Sequence, residues 1–308
     1  MDFKVIKLLK IIDSRVDKTI KFVFLSAGNI LEFSYINKDD GKDIICVPTQ
    51  TACNMGCKFC FMSDIKKIPV RNLEFYEICG LVEAVIRILK LTEKEDRNNV
   101  LLISYMGCGE PLLNTENVIK ASYAIQETMK NEYQTVRFAV ASMIPRLYLM
   151  EKFIYIVREL GLKMKFHLSL HSADPMVRKS LIPSAESIEE SVDQMIKFVA
   201  VTDNSAEIHY ALIKDINDRD IDAEMLVALL KGRPVSVKFL AYNPKPTLDF
   251  KESERVEYFR KKLEEAGIKT EFYRPPGWDV GSSCGQFLMD YYLKYYGEGK
   301  DGEEKEEE

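Results

Sequence analysis

Four cysteines fall within fifteen residues in the stretch CVPTQTACNMGCKFC, from Cys46 to Cys60. Three of them, Cys53, Cys57 and Cys60, follow the pattern C-x3-C-x2-C, and Cys46 stands seven residues ahead of the first. Three thiolates at this spacing can each take one iron of a cubane [4Fe-4S] cluster and leave the fourth iron without a protein ligand. An open metal position is the mark of a catalytic site, by the logic that separates catalytic from structural zinc. A zinc knot is the other use of such a loop, but zinc asks for a fourth ligand close by and no histidine lies near. Cys284, in the small-residue turn GSSCGQ, is placed to expose a thiol, with an inert core cysteine as the plainer alternative. Cys46 ends a candidate strand, where a core role is a stronger alternative still. Cys79 reads as core inside a helical pattern, and Cys108 as a packing residue that could approach a cluster.

The chain around these thiols has 308 residues, of which 46% are hydrophobic, enough for one αβ domain with a full core. No run approaches the roughly 18 apolar residues that span a bilayer. The opening MDFKVIKLLK also scatters its lysines instead of grouping them ahead of an apolar core. The expectation is a cytoplasmic protein with reduced thiols. Seven cysteines, an odd number clustered in one place, then point to metal binding or catalysis more than to a disulfide framework. The net charge of −5 resides in the tail EGKDGEEKEEE, whose seven acids and two lysines leave the body near zero. That tail is expected to be disordered. The body shows no overall basic excess to announce nucleic acid, which leaves a local basic patch open.

Hydrophobic periodicity alternates between strands and helices. Strands are expected at 44–48, 100–106, 136–141, 163–170, 206–213 and 235–242, and helices at 72–91, 115–131, 146–160, 187–201, 220–231 and 252–266. Six strand-then-helix units argue for a parallel sheet with right-handed crossovers, closed into a partial (β/α)6 TIM-like barrel. TIKFVFL and NILEFSYI, joined through SAGN, add an N-terminal β-hairpin. The expected organisation is an extension over 1–45, the barrel over 46–297 and the acidic tail over 298–308. A barrel places chemistry where strands end. Cys53, Cys57 and Cys60 follow the first strand, MGCGEPLLN the second and Ser142 the third, while Ser169 and His171 close the fourth and Asn243 the sixth. Alternation in the fourth strand puts Lys165, His167, Ser169 and His171 on a polar, cavity-lining face and Met164, Phe166, Leu168 and Leu170 on an apolar one. His209 reads as a core or supporting histidine.

C-x3-C-x2-C with Phe59 just before the last cysteine is the signature of the radical S-adenosylmethionine (SAM) superfamily, and the chain resembles it. CVPTQTACNMGCKFC, MGCGEPLLN, LSLHSADPMVRKSLIP, LIKDINDRDIDAEMLVALLKG, YNP and GWDVGSSCGQF look, in that order, like the RNA adenosine methyltransferases of the RlmN/Cfr family. The likeness covers about residues 12 to 290. It implies a [4Fe-4S] cluster on Cys53, Cys57 and Cys60, and SAM held by Gly109, Glu110, Ser169, Leu170, His171 and Asn243, the ammonium of SAM facing Glu110. It also implies an RNA substrate, an electron donor such as flavodoxin or ferredoxin, and a monomer that uses no membrane.

The chemistry that the resemblance implies uses two further cysteines. Carbon 2 or carbon 8 of adenine is electron-poor and cannot attack the methyl of SAM as a nitrogen would, so a radical route is needed. Cys284 takes a methyl group from one SAM. A second SAM, cleaved at the cluster, gives a 5′-deoxyadenosyl radical that removes hydrogen from the S-methyl group, and the methylene radical adds to the ring. Loss of the ring proton, with Glu32 matching a family glutamate proposed as its acceptor, and attack by Cys46 on the sulfur of Cys284 release the product and leave a disulfide. Two departures accompany the likeness. The family's STSG after the third strand is AVAS here, which displaces the serine, Ser142, by one position. Only 45 residues precede Cys46, too few for the family's N-terminal accessory domain. A radical SAM enzyme acting on a non-RNA substrate, a small-molecule methylase or a radical activator, is the alternative.

Overall fold

The strand-then-helix rhythm of the sequence folds into one ten-stranded sheet. In this computed structural model residues 6–38, 41–65, 68–92 and 100–297 are described. The strands are β1 (Ile6–Asp13), β2 (Thr19–Ser26), β3 (Asn29–Lys38), β4 (Lys42–Cys46), β5 (Val100–Tyr105), β6 (Thr135–Ser142), β7 (Met164–Ser169), β8 (Ala206–Ala211), β9 (Ser236–Leu240) and β10 (Lys269–Tyr273). The helices are α1 (Phe75–Leu91), α2 (Thr115–Met129), α3 (Leu147–Leu160), α4 (Pro175–Leu181), α5 (Ile188–Thr202), α6 (Asp220–Leu230), α7 (Val256–Glu265) and α8 (Met289–Gly297). Strands neighbour one another in chain order. β1 to β4 pair antiparallel, and every pairing from β4 to β10 is parallel.

The six expected βα units are present, each a strand of β4 to β9 with its helix, so the partial barrel of the radical SAM type stands. The expected hairpin is β2–β3. Ser26 pairs with Asn29 across a two-residue turn in which Ala27 (φ 49°) and Gly28 (φ 72°) both take the left-handed conformation that such hairpins need. Four elements lie outside the expectations. β1 is an edge strand whose lysines and half-exposed apolar residues blur any alternation. β10 is a short, mixed strand on the opposite edge, adding a seventh parallel strand. α4 is only seven residues long, started by Asp174, whose side chain accepts from Met176 N and Val177 N, and by Pro175 at its first turn. α8 carries four tyrosines and no clean apolar stripe.

The helices bury one face against the outer side of the sheet. α1 places Ile78, Leu81, Val82, Val85 and Leu89 at 3% exposure or less, the spacing expected of an amphipathic helix. From β7, Met164, Phe166 and Leu168 enter the same core, while His167 points to the opposite, concave side. That inner side is where polar side chains gather. Among the described residues no helix is long and apolar enough to cross a membrane. The acidic tail lies outside the described residues.

Candidate active site

Two adjoining cavities lie inside the curve of the sheet. One, of about 200 Å³, is lined by Glu32, Cys46, His167, Lys238, Tyr273 and Cys284 among others. The other, of about 180 Å³, is lined by Cys53, Cys57, Cys60, Glu110, His171 and Asn243 among others. They share a wall that includes Met106, His209 and Cys284. The seven thiols therefore sort by position. Three face the smaller cavity, Cys46 faces the larger, and Cys284 borders both.

The three-thiol loop runs from β4 to the 3-10 turn Phe61–Asp64 and is pinned at both ends. Lys58 N donates to Leu181 O (2.9 Å), Phe61 N to Gly285 O (2.9 Å), and Ser63 Oγ to Cys60 O (2.8 Å). Burial pushes the Cys53 thiol up to about 12, with the neighbouring Cys60 and Glu110 adding to the rise. Burial also raises Cys57, aided by Cys60 and Cys53, and raises Cys60. A thiolate is costly in such a place unless a metal cation balances it. Three soft donors facing one cavity suit an iron–sulfur cluster. Cys108 is buried in apolar packing beside Met62 and Tyr292 and lines neither cavity. Cys79 packs against the main core on α1, as expected.

Across the smaller cavity lies Glu110, 3% exposed at the start of the turn Pro111–Asn114. Oε1 accepts from Leu112 N (3.0 Å) and Oε2 from Met143 N (3.4 Å), and Ser142 also hydrogen-bonds it. Gln50 Oε1 accepts from the backbone N–H of Glu110 (2.9 Å) and holds the loop in place. Gly109 ahead of it has φ 110°, and a Cβ there would lie 2.7 Å from Thr49 Oγ1 and 2.8 Å from Gln50 N, so only glycine fits. Burial raises the Glu110 carboxyl to about 7, and none of its hydrogen-bond partners is cationic. A ligand ammonium would supply the missing charge.

This fixes a sign for the ligand-free protein. With the folded value above the ordinary 4.5, the native state holds more protons than the unfolded chain between these values, so stability falls as pH rises from about 4.5 to about 7. Glu110→Gln is therefore expected to raise the midpoint of thermal unfolding at pH 8, by up to about 3 kcal/mol in stability, and to change little at pH 4. The same substitution is expected to weaken SAM binding at least tenfold, measured by equilibrium dialysis.

The remaining expected SAM contacts divide. Ser142, Ser169, His171 and Asn243 line the smaller cavity. Ser142, although displaced by one position, ends β6 directly beside Glu110 and accepts from Ile144 N (2.9 Å). His171 leaves the strand with φ 55°, accepts from Ala211 N at Nδ1 (3.0 Å) and packs on Phe59 with ring centroids 4.8 Å apart. Asn243 donates from Nδ2 to Cys284 O (3.0 Å), tying the sixth strand's loop to the Cys284 turn. Leu170 does not join them through its side chain, which is fully buried in the main core; its carbonyl accepts from Arg178 Nε (3.2 Å).

Cys46 and Cys284 face one another across the larger cavity. Burial pushes the Cys46 thiol up to about 12, with Cys284 adding to the rise and Lys21 opposing it. Cys284 is exposed by surface area, yet the walls around it crowd its sulfur enough to push the thiol up to about 11, against the pull of Lys238. The two descriptions agree once the exposure is taken as exposure to the cavities it lines. Glu32 is 5% exposed, not the solvent-facing strand glutamate that its sequence context suggests. It pairs with buried Lys21 and accepts from Leu288 N (3.0 Å), which anchors the segment after Cys284 to β3.

Several residues at this site carry no signal in the sequence. Lys21, Gln50, Glu207 and Lys238 belong to no motif and sit in strands or loops where lysine and glutamate are usually solvent-facing. Only the inward parity of their strands could have marked them. His209 is not a core histidine: it lines both cavities.

Residues 47–227 match the model of the Radical SAM superfamily. Together with the thiol loop at the mouth of a parallel sheet, the match defines a radical SAM enzyme, a class that uses a [4Fe-4S] cluster, SAM and an external reductant. A probable dual-specificity RNA methyltransferase RlmN from Thermosipho melanesiensis is 35% identical over 285 residues, covering 91% of this chain and 79% of that protein. The protein of the same description from Thermotoga petrophila is 35% identical over 295 residues, with 92% and 80% covered. The chain belongs to this RlmN family of radical SAM methyltransferases. A radical SAM methyltransferase from Sphaerobacter thermophilus, 24% identical, has the same fold with a TM-score of 0.77 over 92% of this chain and 81% of its own.

Proposed function

We propose that this chain methylates a ring carbon of adenosine in RNA by way of a methyl group carried on Cys284. The observation that supports it most is the sorting of the thiols: Cys284 borders both cavities, with Cys53, Cys57 and Cys60 on one side and Cys46 on the other. Cys53, Cys57 and Cys60 would hold the cluster, and Glu110, Ser142, Ser169, His171 and Asn243 would hold SAM, with Gly109 and Leu170 contributing backbone. When bound there, the cluster and SAM together supply the hydrogen-abstracting radical chemistry that an electron-poor ring carbon demands.

The chain's own residues do the rest. A thiolate, not a thiol, takes a methyl group or attacks a sulfur, and both thiols of the pair are raised by burial, so each needs help to ionise. Each has a lysine beside it, Lys238 for Cys284 and Lys21 for Cys46. The target base enters the larger cavity and bonds through the methylene of Cys284. Glu32 takes the ring proton; its position beside Lys21 keeps the carboxylate charged within a buried wall. Cys46 then attacks the sulfur of Cys284, freeing the methylated base and leaving a Cys46–Cys284 disulfide that an external dithiol must reduce. We assign RNA as substrate and take flavodoxin or ferredoxin as the electron donor to a cytoplasmic monomer.

Iron content tests the first assignment. Anaerobically reconstituted protein is expected to bind about four irons, and Cys53→Ala, Cys57→Ala and Cys60→Ala each to lose most of them, read by iron assay and the charge-transfer absorbance. A full cluster retained in all three variants would remove the basis of the reading.

A further inference from the structure

The chain has three histidines, and all three line the two cavities. The chemistry above gives no part to His167 or His209. They sit on adjacent strands, both more than nine-tenths buried, with Glu207 directly opposite His167 and Lys238 directly opposite His209 in the strand register. Nδ1 of His167 is 2.7 Å from Nε2 of His209 and 3.0 Å from Glu207 Oε1, while His209 Nε2 is 3.6 Å from that oxygen, too far for a hydrogen bond. A carboxylate can only accept. The proton therefore sits on His167 Nδ1, shared between Glu207 and His209, and His209 Nε2 is an acceptor. Burial keeps both rings neutral. His209 then carries its single proton on Nδ1, and His167 keeps Nε2 bare; neither atom has a hydrogen-bond partner among the described residues.

The same three side chains, His167, Glu207 and His209, are close enough to suggest a metal site. Two contacts argue against it. Lys165 Nζ (2.6 Å) and Lys238 Nζ (2.7 Å) both hold the Glu207 carboxylate, and a divalent ion would have to displace Lys238 while sitting among ammonium groups. The cluster instead fixes a tautomer. It leaves one ring N–H and one bare ring nitrogen at the inner wall of the cavity that also holds Cys46 and Cys284.

We propose that this pair reads the target base, with His209 Nδ1–H donating to a ring nitrogen and His167 Nε2 accepting from the exocyclic amine beside it. The inference rests on the reading that adenosine is the substrate. Adenine presents an amine next to an accepting nitrogen on both of its edges, N6 with N1 and N6 with N7. Hypoxanthine puts a carbonyl where the amine stands, so His167 would face an acceptor with an acceptor, leaving both unpaired. A base placed deep in a pocket is commonly read along such an edge.

With only three histidines, the test is direct. Protein labelled with 15N-histidine, cluster-loaded, kept oxidised and saturated with SAM, is titrated with adenosine 5′-monophosphate or inosine 5′-monophosphate, and the imidazole nitrogens are followed by NMR. Before nucleotide, His167 and His209 are expected to be neutral and protonated at Nδ1. Adenosine monophosphate is expected to shift His209 Nδ1 and His167 Nε2 and to leave His171, on the SAM side, unmoved. Inosine monophosphate is expected to bind on the order of tenfold more weakly, and His167→Leu to abolish that preference. Protonation at His209 Nε2, or equal response to both nucleotides, overturns the proposal. Adenosine methylation intact without any His209 or His167 shift overturns the recognition alone; the shifts present in a protein that methylates no RNA would leave recognition standing and refute the RNA reading.

Discussion

Cys46→Ala protein purified from growing cells is expected to carry RNA that survives denaturant and disappears on nuclease treatment. In the proposed sequence the base is joined to Cys284 through a methylene group, and the only thiol that shares the larger cavity with Cys284 is Cys46. Alanine leaves the sulfur–carbon bond without an attacking thiolate, and no other cysteine can substitute. Cys108 is buried in apolar packing, and Cys79 lies on α1 against the main core, its Sγ directed at Ala121 O (3.8 Å). Cys46 is one residue at the end of β4, paired in register with Ser34 and Ser104, so its truncation removes a sulfur without opening a hydrophobic core. Denaturing gels before and after nuclease check the adduct, and sequencing the trapped fragment identifies the RNA. A Cys46→Ala protein free of nucleic acid that turns over normally would exclude the resolving role. A small molecule trapped at Cys284 in its place would make the substrate something other than RNA.

Cys284→Ala is expected to abolish methylation completely while leaving iron content unchanged. The Cys53, Cys57 and Cys60 loop touches the Cys284 turn through backbone, Phe61 N to Gly285 O, and through Asn243 Nδ2 to Cys284 O, contacts that alanine keeps. Activity and cluster loading should therefore separate in this variant and fall together in Cys57→Ala. The double variant Cys46→Ala with Cys284→Ala should be free of attached RNA, because the carrier acts before the resolver and effects of residues that act as a unit do not add. Iron lost in Cys284→Ala would instead make Cys284 a ligand.

The alternation of strands and helices was legible because it is a matter of burial. Ile78, Leu81, Val82, Val85 and Leu89 on α1 repeat at helical spacing since one face meets the sheet, and β2 to β9 carry enough apolar residues to stand out. β1 and β10 were not, because edge strands are half solvated and mix lysine, glutamate and aromatic residues. At the site, the spaced cysteines and GEP, SLH and YNP loops could be found by type and position at strand ends. Glu32 and His209 could be named but not placed, since a glutamate in a strand gives no sign that it will be buried against a lysine two strand positions away on its neighbour. Glu207 and Lys238 could not be found at all. Their importance comes from β7, β8 and β9 lying side by side, which joins residues forty positions apart in the chain.

The origin of the transferred carbon tests the account most directly. Protein isolated with an unlabelled methyl group on Cys284, confirmed by peptide mass spectrometry, is given SAM carrying a 13C-methyl group, reductant and substrate RNA. The first base methylated per protein is predicted to contain unlabelled carbon, taken from Cys284, with the label entering only in later turnovers. Label in the first product would mean that the methyl group passes from SAM to the base without residing on Cys284, and would contradict the role assigned to the Cys46 and Cys284 pair.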